Sequence, residues 1–329
     1  MQDTQGTFDV ELGGLGWEAW RAALEDVPGE DGFAEPLGPR HAAVLIERKP
    51  VLLVTFESFH QVTQLSTEAR PMGWQMVQAL GWSHLALVSG GDTWFRDRHV
   101  IGFFDRLIDD GFFEDFEQVI FYGAGPSGYA AAAFSVSAPG AKVLALQPQA
   151  TLDPRIAEWD DRFRHMRRTD FTSRFGYAPD MLDAADETFV IYDPEVELDA
   201  IHAALFARSN VKLIRARYLG AQLDVSLMRM QVLYRMLAQI SSGRFTDRNI
   251  ATLLRQRRED AAYQFNLLRH LEARERHGLV ALLARAVLER RQARPFRKAL
   301  NQANEALEKQ AAAQAEASGA AGEDDARQA

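Results

Sequence analysis

The sequence contains no cysteine, and no stretch approaches the ~18 uninterrupted apolar residues of a membrane-spanning helix. The missing thiols exclude disulfides, thiolate zinc or iron–sulfur sites, a cysteine nucleophile and cysteine-based redox chemistry. Residues 1–6 carry neither the basic segment nor the apolar segment that opens a secretory leader. We therefore expect a protein without a membrane span that works in the cytoplasm.

Positive charge is also in short supply. The chain has 37 Lys and Arg residues against 46 Asp and Glu, a formal net charge of −9. This balance argues against general nucleic-acid binding, because affinity for phosphate backbones needs a basic surface. Hydrophobic residues make up 47% of the 329 and charged residues 25%, so a large core can form and global disorder is excluded. The length suits two domains, or one α/β domain with an appendage.

Short β-type runs alternate with helical patterns between residues 41 and 225. Near-continuous apolar strands in such an alternation are typical of a mostly parallel sheet covered on both faces, so we predict an α/β fold with a doubly wound sheet. Residues 1–40, rich in Gly and acidic residues, are interpreted as a lead-in outside the core. We expect the first two strands to be neighbours joined by a turn. The expected strands are 42–46, 51–56, 84–88, 118–122, 142–146, 188–192 and 211–214.

The chain beyond residue 225 differs in character. Residues 226–310 are predicted to form an Arg-rich helical extension, and residues 311–329, without large apolar side chains, are predicted to be disordered. The arginines fit either a solvated helix face or a docking surface for an acidic protein or a polyanion, such as a glycan or phosphate polymer. RNA is a weaker candidate because aromatic residues are not interleaved with the arginines.

The most informative segment is YGAGPSGYAA, from Tyr122 to Ala131. It follows an apolar strand and opens a helix of small residues, which is the setting of a nucleophile elbow. The segment resembles the elbow of the α/β-hydrolase superfamily in its bacterial esterase-like form, Y-G-x-S-x-G-G-Y-A-A. The pattern of residues 41–225 resembles that fold throughout. The resemblance implies a mostly parallel sheet of α/β-hydrolase type with a site at this turn.

The same resemblance places Gly125 where the family has its serine, with Gly123 and Gly128 as anchoring glycines. Glycine has no side chain, so a covalent acyl-enzyme cannot form at this position. The family's acid corresponds to Asp193, but its histidine is missing after the last strand, where Gln222 is the nearest equivalent. Glutamine cannot act as a general base at neutral pH. The resemblance therefore implies a hydrolase-like scaffold without the standard hydrolase mechanism.

Two functions follow from this comparison and stay open. In the first, a catalytically degenerate protein binds a small-molecule or acyl ligand or a partner, and backbone N–H groups at the helix start hold an anion or carbonyl oxygen. Glu57, Ser58 and His60 follow a strand and are expected to line that cleft. In the second, an active serine hydrolase or acyltransferase uses a displaced Ser127 with Asp193 and a base such as His60. We expect no metal and no cofactor in either case.

A competing motif, SGGDT from Ser89 to Thr93, also follows a strand. It resembles the S-G-G-x-D-S loop of ATP pyrophosphatases and phosphoadenosine phosphosulfate reductases. In that loop glycine amides surround a phosphate. Reductases of that kind need a catalytic cysteine, which this chain lacks, so nucleotide binding without reduction is the function the motif leaves open. The alternative is a plain strand-to-helix turn. The residues concerned are Ser89, Gly90, Gly91, Asp92 and Thr93.

Overall fold

The computed structural model describes residues 10–27 and 32–328, without the side chains of residues 315–328. The chain divides into two compact units, and the boundary falls between Arg255 and Gln256. Residues 1–6, on which the expectation of no leader rests, lie outside the described residues. Across the two described ranges, no helix is both long and apolar enough to cross a membrane.

A sheet of eight strands lies at the centre of the first unit, in the order β1-β2-β4-β3-β5-β6-β7-β8. The first two pairings, β1 with β2 and β2 with β4, are antiparallel, and all the others are parallel. The seven expected strands and the predicted α/β fold class are confirmed. The strands are β1 (Gly32–Pro36), β2 (His41–Ile46), β3 (Val51–Ser58), β4 (Ser83–Ser89), β5 (Gln118–Ala124), β6 (Lys142–Leu146), β7 (Glu187–Tyr192) and β8 (Val211–Arg215).

The prediction that β2 and β3 are neighbours is wrong. Strand β4 lies between them and pairs with β2 on one side and β3 on the other. All six residues of β2 are buried, as are the middle six of β3. Strands that are apolar on both faces carry no pattern that selects a partner. The short connection between β2 and β3 therefore does not make them neighbours.

Helices cover both faces of the sheet. Alternate residues of β2 contribute to two separate buried clusters: Ala43 and Leu45 to one, Val44 and Ile46 to the other, as the two-residue period of a strand requires. The helices of this unit are α1 (Trp17–Ala23), α2 (Phe59–Leu65), α3 (Trp74–Leu80), α4 (Arg98–Asp109), α5 (Pro126–Phe134), α6 (Pro154–Ala157), α7 (Glu197–Leu205), α8 (Leu223–Arg229), α9 (Leu233–Ser241) and α10 (Asp247–Leu254).

The limits of this unit differ from the expected 41 and 225. Strand β1 joins the sheet, and Trp20 of α1 is fully buried with its indole N–H donating to the Ala69 carbonyl oxygen at 2.8 Å. The segment taken for a lead-in therefore supplies core side chains. At the other end, helices α8 to α10 fall within the first unit. Composition does not show that the N-terminal segment contributes to the core, because burial there depends on a few large side chains in Gly-rich sequence.

The second unit is helical, as expected, and comprises α11 (Ala261–Ala273), α12 (His277–Leu288) and α13 (Arg294–Gln328). Its own apolar cluster includes Leu268, Val280 and Phe296. The prediction of disorder for residues 311–329 is wrong as far as residue 328, because α13 continues to that point. Ala, Glu and Gln have high helix propensity, so a lack of large apolar side chains does not exclude a helix. Residue 329 lies outside the described residues.

Helix α5 packs so closely against the sheet that backbone atoms of the two are in contact. A Cβ atom on Gly123 would overlap the carbonyl oxygen of Ser127, and one on Gly128 would lie 3.0 Å from the carbonyl oxygen of Leu146. The alanines from 130 to 133 are fully buried in the same helix. The glycines and alanines thus let α5 lie against β5 and β6 at a distance that larger side chains would prevent.

We predict that Gly123→Ala destabilises the protein by about 3 kcal/mol or more, because the new methyl group meets backbone atoms that cannot rotate away. Urea unfolding of the purified protein measures this change. The control is Gly102→Ala in α4, where an added Cβ has nothing within 4 Å. That substitution is expected to stabilise the protein by roughly 0.5–1 kcal/mol. Equal stability of the two variants would contradict the close packing of α5.

Candidate functional site

The turn between β5 and α5 is built on Gly125. Its backbone has φ 58° and ψ −124°, a conformation that side-chain-bearing residues rarely adopt. A Cβ atom at this position would meet nothing within 4 Å, so the residue faces open space. This is the sharp, strained strand-to-helix turn on which α/β-hydrolases display their nucleophile. Here that position carries no side chain.

The residue after Gly125 lacks a second group that the hydrolase reaction uses, a backbone hydrogen-bond donor. In the α/β-hydrolase fold, the backbone N–H of the residue after the nucleophile donates to the oxyanion of the reaction. Pro126 holds this position at the start of α5 and has no backbone N–H. The expectation that N–H groups at this helix start hold an anion is therefore wrong for the first of them. The signal was visible in the sequence, since proline lacks the donor wherever it stands.

Ser127 is buried, with 2% of its surface exposed, and its hydroxyl donates to the Gln61 side-chain oxygen Oε1 at 3.1 Å. In the described part of the chain it has no histidine partner. His60, the proposed base, is exposed on α2. A nucleophilic serine needs a base within hydrogen-bond reach. The geometry therefore argues against the displaced-serine hypothesis.

The Gln61 carboxamide occupies the space between the end of β3, the turn and α8. Its Oε1 atom accepts from the Ser58 backbone N–H (2.8 Å) as well as from Ser127. Its Nε2 atom donates to the Ala124 carbonyl oxygen (3.4 Å) and to Asp224 Oδ2 (3.3 Å). The second oxyanion donor of α/β-hydrolases comes from the loop after β3. In this chain α2 follows β3 directly, and the amide of Ser58, the last residue of β3, is bonded to Gln61.

Ser58 and Gln61 also form a reciprocal capping box at the start of α2: the Ser58 side chain accepts from the Gln61 N–H, and the Gln61 side chain accepts from the Ser58 N–H. The pattern Ser-x-x-Gln after an apolar strand is the sequence signature of this cap. It would have identified Gln61, which sequence reasoning missed. The predicted cleft residue Ser58 is thus a helix-capping residue.

Asp193 lies just beyond β7, where the resemblance placed the acid. Its carboxylate accepts from two backbone N–H groups, that of Glu195 (3.0 Å) and that of Gly220 (2.7 Å). Asp193 therefore ties the loop after β8 to the end of β7 without touching a histidine. Gln222, in that loop, is exposed and immediately precedes α8. The structure thus brings neither Asp193 nor Gln222 to Ser127 through a hydrogen bond.

The buried carboxyl group of Glu57 is the most unusual feature at this edge of the sheet. It accepts from the Thr55 hydroxyl (2.8 Å) and from the Met72 backbone N–H (3.1 and 3.2 Å). The Thr55 hydroxyl is also bonded to His84 Nε2 at 2.9 Å. Burial, together with the nearby Asp224 carboxylate, raises the pKa of Glu57 to about 7. Burial lowers the pKa of His84 to about 3, so this histidine stays neutral.

Three further titratable side chains, which sequence reasoning missed, interact electrostatically with Glu57. Asp224 of α8 is buried, which raises the pKa of its carboxyl group. Burial also raises the pKa values of Tyr122 on β5 and Tyr234 on α9, and the charge of Glu57 raises both further. No motif connects residues 57, 122, 224 and 234, because only the fold brings four separate elements together here.

Glu57 lines a cavity of about 300 Å³ at the carboxyl end of β3. None of the residues of the turn at Gly125 lines this cavity, and neither do Ser58 and His60, so a cleft shared by Glu57, Ser58, His60 and the start of α5 stays a prediction. The lining residues are Glu57, Leu65, Ser66, Glu68, Arg70, Pro71, Met72, Trp74, Gln75, Gln78, Met228 and Tyr234. The volume is at the small end of the range for ligand pockets.

The alternative phosphate loop at the end of β4 is occupied by internal contacts. A Cβ atom on Gly90 would meet the Trp17 ring, and the Ser89 hydroxyl donates to the Gly91 carbonyl oxygen at 3.0 Å. The Thr93 hydroxyl bonds with His41 at 2.7 Å. Asp92 and the glycines form a bend, and α4 begins only at residue 98. This arrangement supports the plain turn, and nucleotide binding there stays an untested prediction.

Within the described ranges, no three His, Asp or Glu side chains group as metal ligands.

No protein-family model matches the chain. No curated protein matches it either. Solved structures are similar to part of it. Est1E from Butyrivibrio proteoclasticus is 14% identical, with 64% of this chain and 99% of that chain covered and a TM-score of 0.40. The Pyrobaculum calidifontis esterase is 14% identical over 69% of this chain and 90% of that chain, with a TM-score of 0.41. A capsule O-acetyltransferase of Neisseria meningitidis serogroup A is 14% identical over 63% and 93%, with a TM-score of 0.39.

The fold and the turn define the class of architecture. A mostly parallel eight-stranded sheet with helices on both faces and a strained strand–glycine–helix turn after β5 is of α/β-hydrolase type, as the sequence predicted. The residues of the turn depart from that type at the groups that carry its chemistry.

We predict that the wild-type protein loses stability relative to Glu57→Gln as the pH rises. A carboxyl group whose pKa is raised on folding favours the folded state in its protonated form, so ionisation is penalised from the unfolded pKa upward. The ordinary pKa of 4.5 and the folded value of about 7 place this loss between those two pH values. It amounts to about 3 kcal/mol. Urea unfolding of both proteins across this range measures the difference.

The matched control for this experiment is Glu114→Gln, which removes an exposed carboxylate near the amino end of β5. Its pH dependence should run parallel to that of the wild type. Parallel curves for wild type and Glu57→Gln would show that Glu57 ionises on folding without penalty, contrary to its burial.

Proposed function

We propose that this protein is a catalytically degenerate member of the α/β-hydrolase architecture that binds a small-molecule ligand and does not hydrolyse acyl esters. The carrying observation is the pair Gly125 and Pro126 at the strained turn. This pair lacks both the nucleophilic side chain and the amide that would hold the oxyanion.

Two further contacts support the proposal. The amide of Ser58 is bonded to the Gln61 side chain, at the junction of β3 and α2 where α/β-hydrolases have their second oxyanion donor nearby. The Asp193 carboxylate accepts from backbone amides where a triad acid would orient a histidine. Each missing group alone would slow acyl transfer by orders of magnitude, and the loss of all of them leaves no route to it.

A binding role is supported by the cavity beside Glu57, which has the mixed polar and aromatic lining of a ligand site. We also propose the cytoplasmic location that the sequence led us to expect, and an acidic partner for the Arg-rich extension. Within the second unit, Arg290 is paired with Glu259 and Arg291 with Gln264.

We predict that the purified protein is not labelled by a fluorophosphonate serine-hydrolase probe. The reason is that its buried Ser127 is bonded to Gln61 and has no histidine partner among the described residues. Gel fluorescence of wild type and Ser127→Ala should show equal background. Gly125→Ser should also stay unlabelled, because Pro126 still lacks the oxyanion donor and the loop after β8 still lacks a histidine.

An active serine esterase mixed into the same sample shows that the probe is competent, and heat-denatured protein sets the background. Labelling of the native protein that disappears in Ser127→Ala would overturn the proposal, because it would identify Ser127 as a working nucleophile.

A further inference from the structure

The cavity beside Glu57 has an uneven charge balance. Three charged side chains line it, and two of them, Arg70 and Glu68, form an ion pair with each other at 2.7 Å. The third, Glu57, is hydrogen-bonded by the Thr55 hydroxyl and the Met72 amide, neither of which carries a charge. The wall therefore presents a carboxyl group that is hydrogen-bonded by uncharged donors.

The other titratable groups near Glu57 add no positive charge. The buried Asp224 carboxyl of α8 interacts with it electrostatically, as do the Tyr122 and Tyr234 hydroxyls of β5 and α9, which are neutral because burial raises their pKa values. From β4, His84 reaches Thr55 and remains neutral. Buried carboxylates are stable when a cation pairs with them, and burial is costly when none does.

The rest of the lining suits an organic cation. Trp74 and Tyr234 supply aromatic rings, which attract cations through their faces, and Met72 and Met228 supply polarisable thioethers. Gln75, Gln78 and Ser66 supply oxygen atoms that accept from an ammonium N–H. A volume of about 300 Å³ limits the occupant to a small molecule.

We propose that this cavity binds a small organic ammonium ion, with the carboxylate of Glu57 as its counter-ion and Tyr234 and Trp74 as its aromatic walls. The inference rests on the proposed function, because it names the chemical class of the ligand that the degenerate scaffold would hold. The proposed ligand is a cation and not an acyl ester.

The test is isothermal titration calorimetry of the full chain with butylamine and choline as cationic probes. Butanol is the neutral counterpart of butylamine, and butyrate is the anionic one. We expect millimolar or tighter binding of at least one cationic probe, with butanol and butyrate at least tenfold weaker. Because Glu57 is half ionised near pH 7, the cation should bind roughly tenfold more tightly at pH 8 than at pH 6. Binding near pH 7 should release about half a proton, which titrations in two buffers measure.

Single substitutions test which side chains bind the cation. Glu57→Gln keeps the shape of the side chain and should weaken cation binding at least tenfold and abolish its pH dependence. Glu114→Gln removes the same charge elsewhere and should leave binding unchanged. Tyr234→Leu leaves the carboxylate and should weaken binding several-fold, so the proposal does not depend on a single variant. Circular dichroism confirms that each variant is folded.

The proposal is wrong if neither cationic probe binds at millimolar concentration, if butyrate binds more tightly than butylamine, or if Glu57→Gln binds the cation as the wild type does. These outcomes leave the fluorophosphonate result unaffected. Conversely, serine labelling would overturn the proposed function while cation binding at Glu57 could still be measured in the same protein.

Discussion

The backbone contact between β5 and α5 determines the geometry of the whole candidate site. Gly123 and Gly128 let the strand and the helix approach closely, and Gly125 reverses the chain between them with a positive φ. This places the turn beside the end of β3, within reach of the Gln61 side chain. In α/β-hydrolases the same geometry presents a nucleophile and an oxyanion donor. Here Gly125 and Pro126 keep the shape of the turn without either group.

Gln61 is bonded to the groups on both sides of this turn. One carboxamide is bonded to β3, α5, α8 and the end of β5, so it links four elements through four hydrogen bonds. A half-buried polar group with its hydrogen bonds made is stabilising, whereas the same group left unpaired would be costly. Gln61 thus joins these elements at the turn, and the cavity lined by Glu57 is separate from it.

Much of the fold could be predicted from the sequence, because apolar runs and turn residues are local signals. Seven strands were found in this way. Strand β1 was missed because a five-residue segment ending in Pro36 carries a weak pattern. The position of β4 between β2 and β3 was missed because fully buried strands do not record their neighbours. The helix beyond residue 310 was missed because helix propensity needs no large apolar residues.

The sequence by itself determined what this protein lacks: a cysteine, a serine at residue 125, a histidine between residues 216 and 222, and a backbone N–H at residue 126. Such absences are properties of single positions and need no structure. Only the tertiary structure decided that Ser127 is bonded to Gln61, that Asp193 accepts from backbone amides, that Glu57 and Tyr234 line one cavity, and that the Asp224 carboxyl acts on Glu57. Residues 57, 224 and 234 are far apart in the chain, and their shared environment depends on strand order and helix packing, which no local pattern encodes.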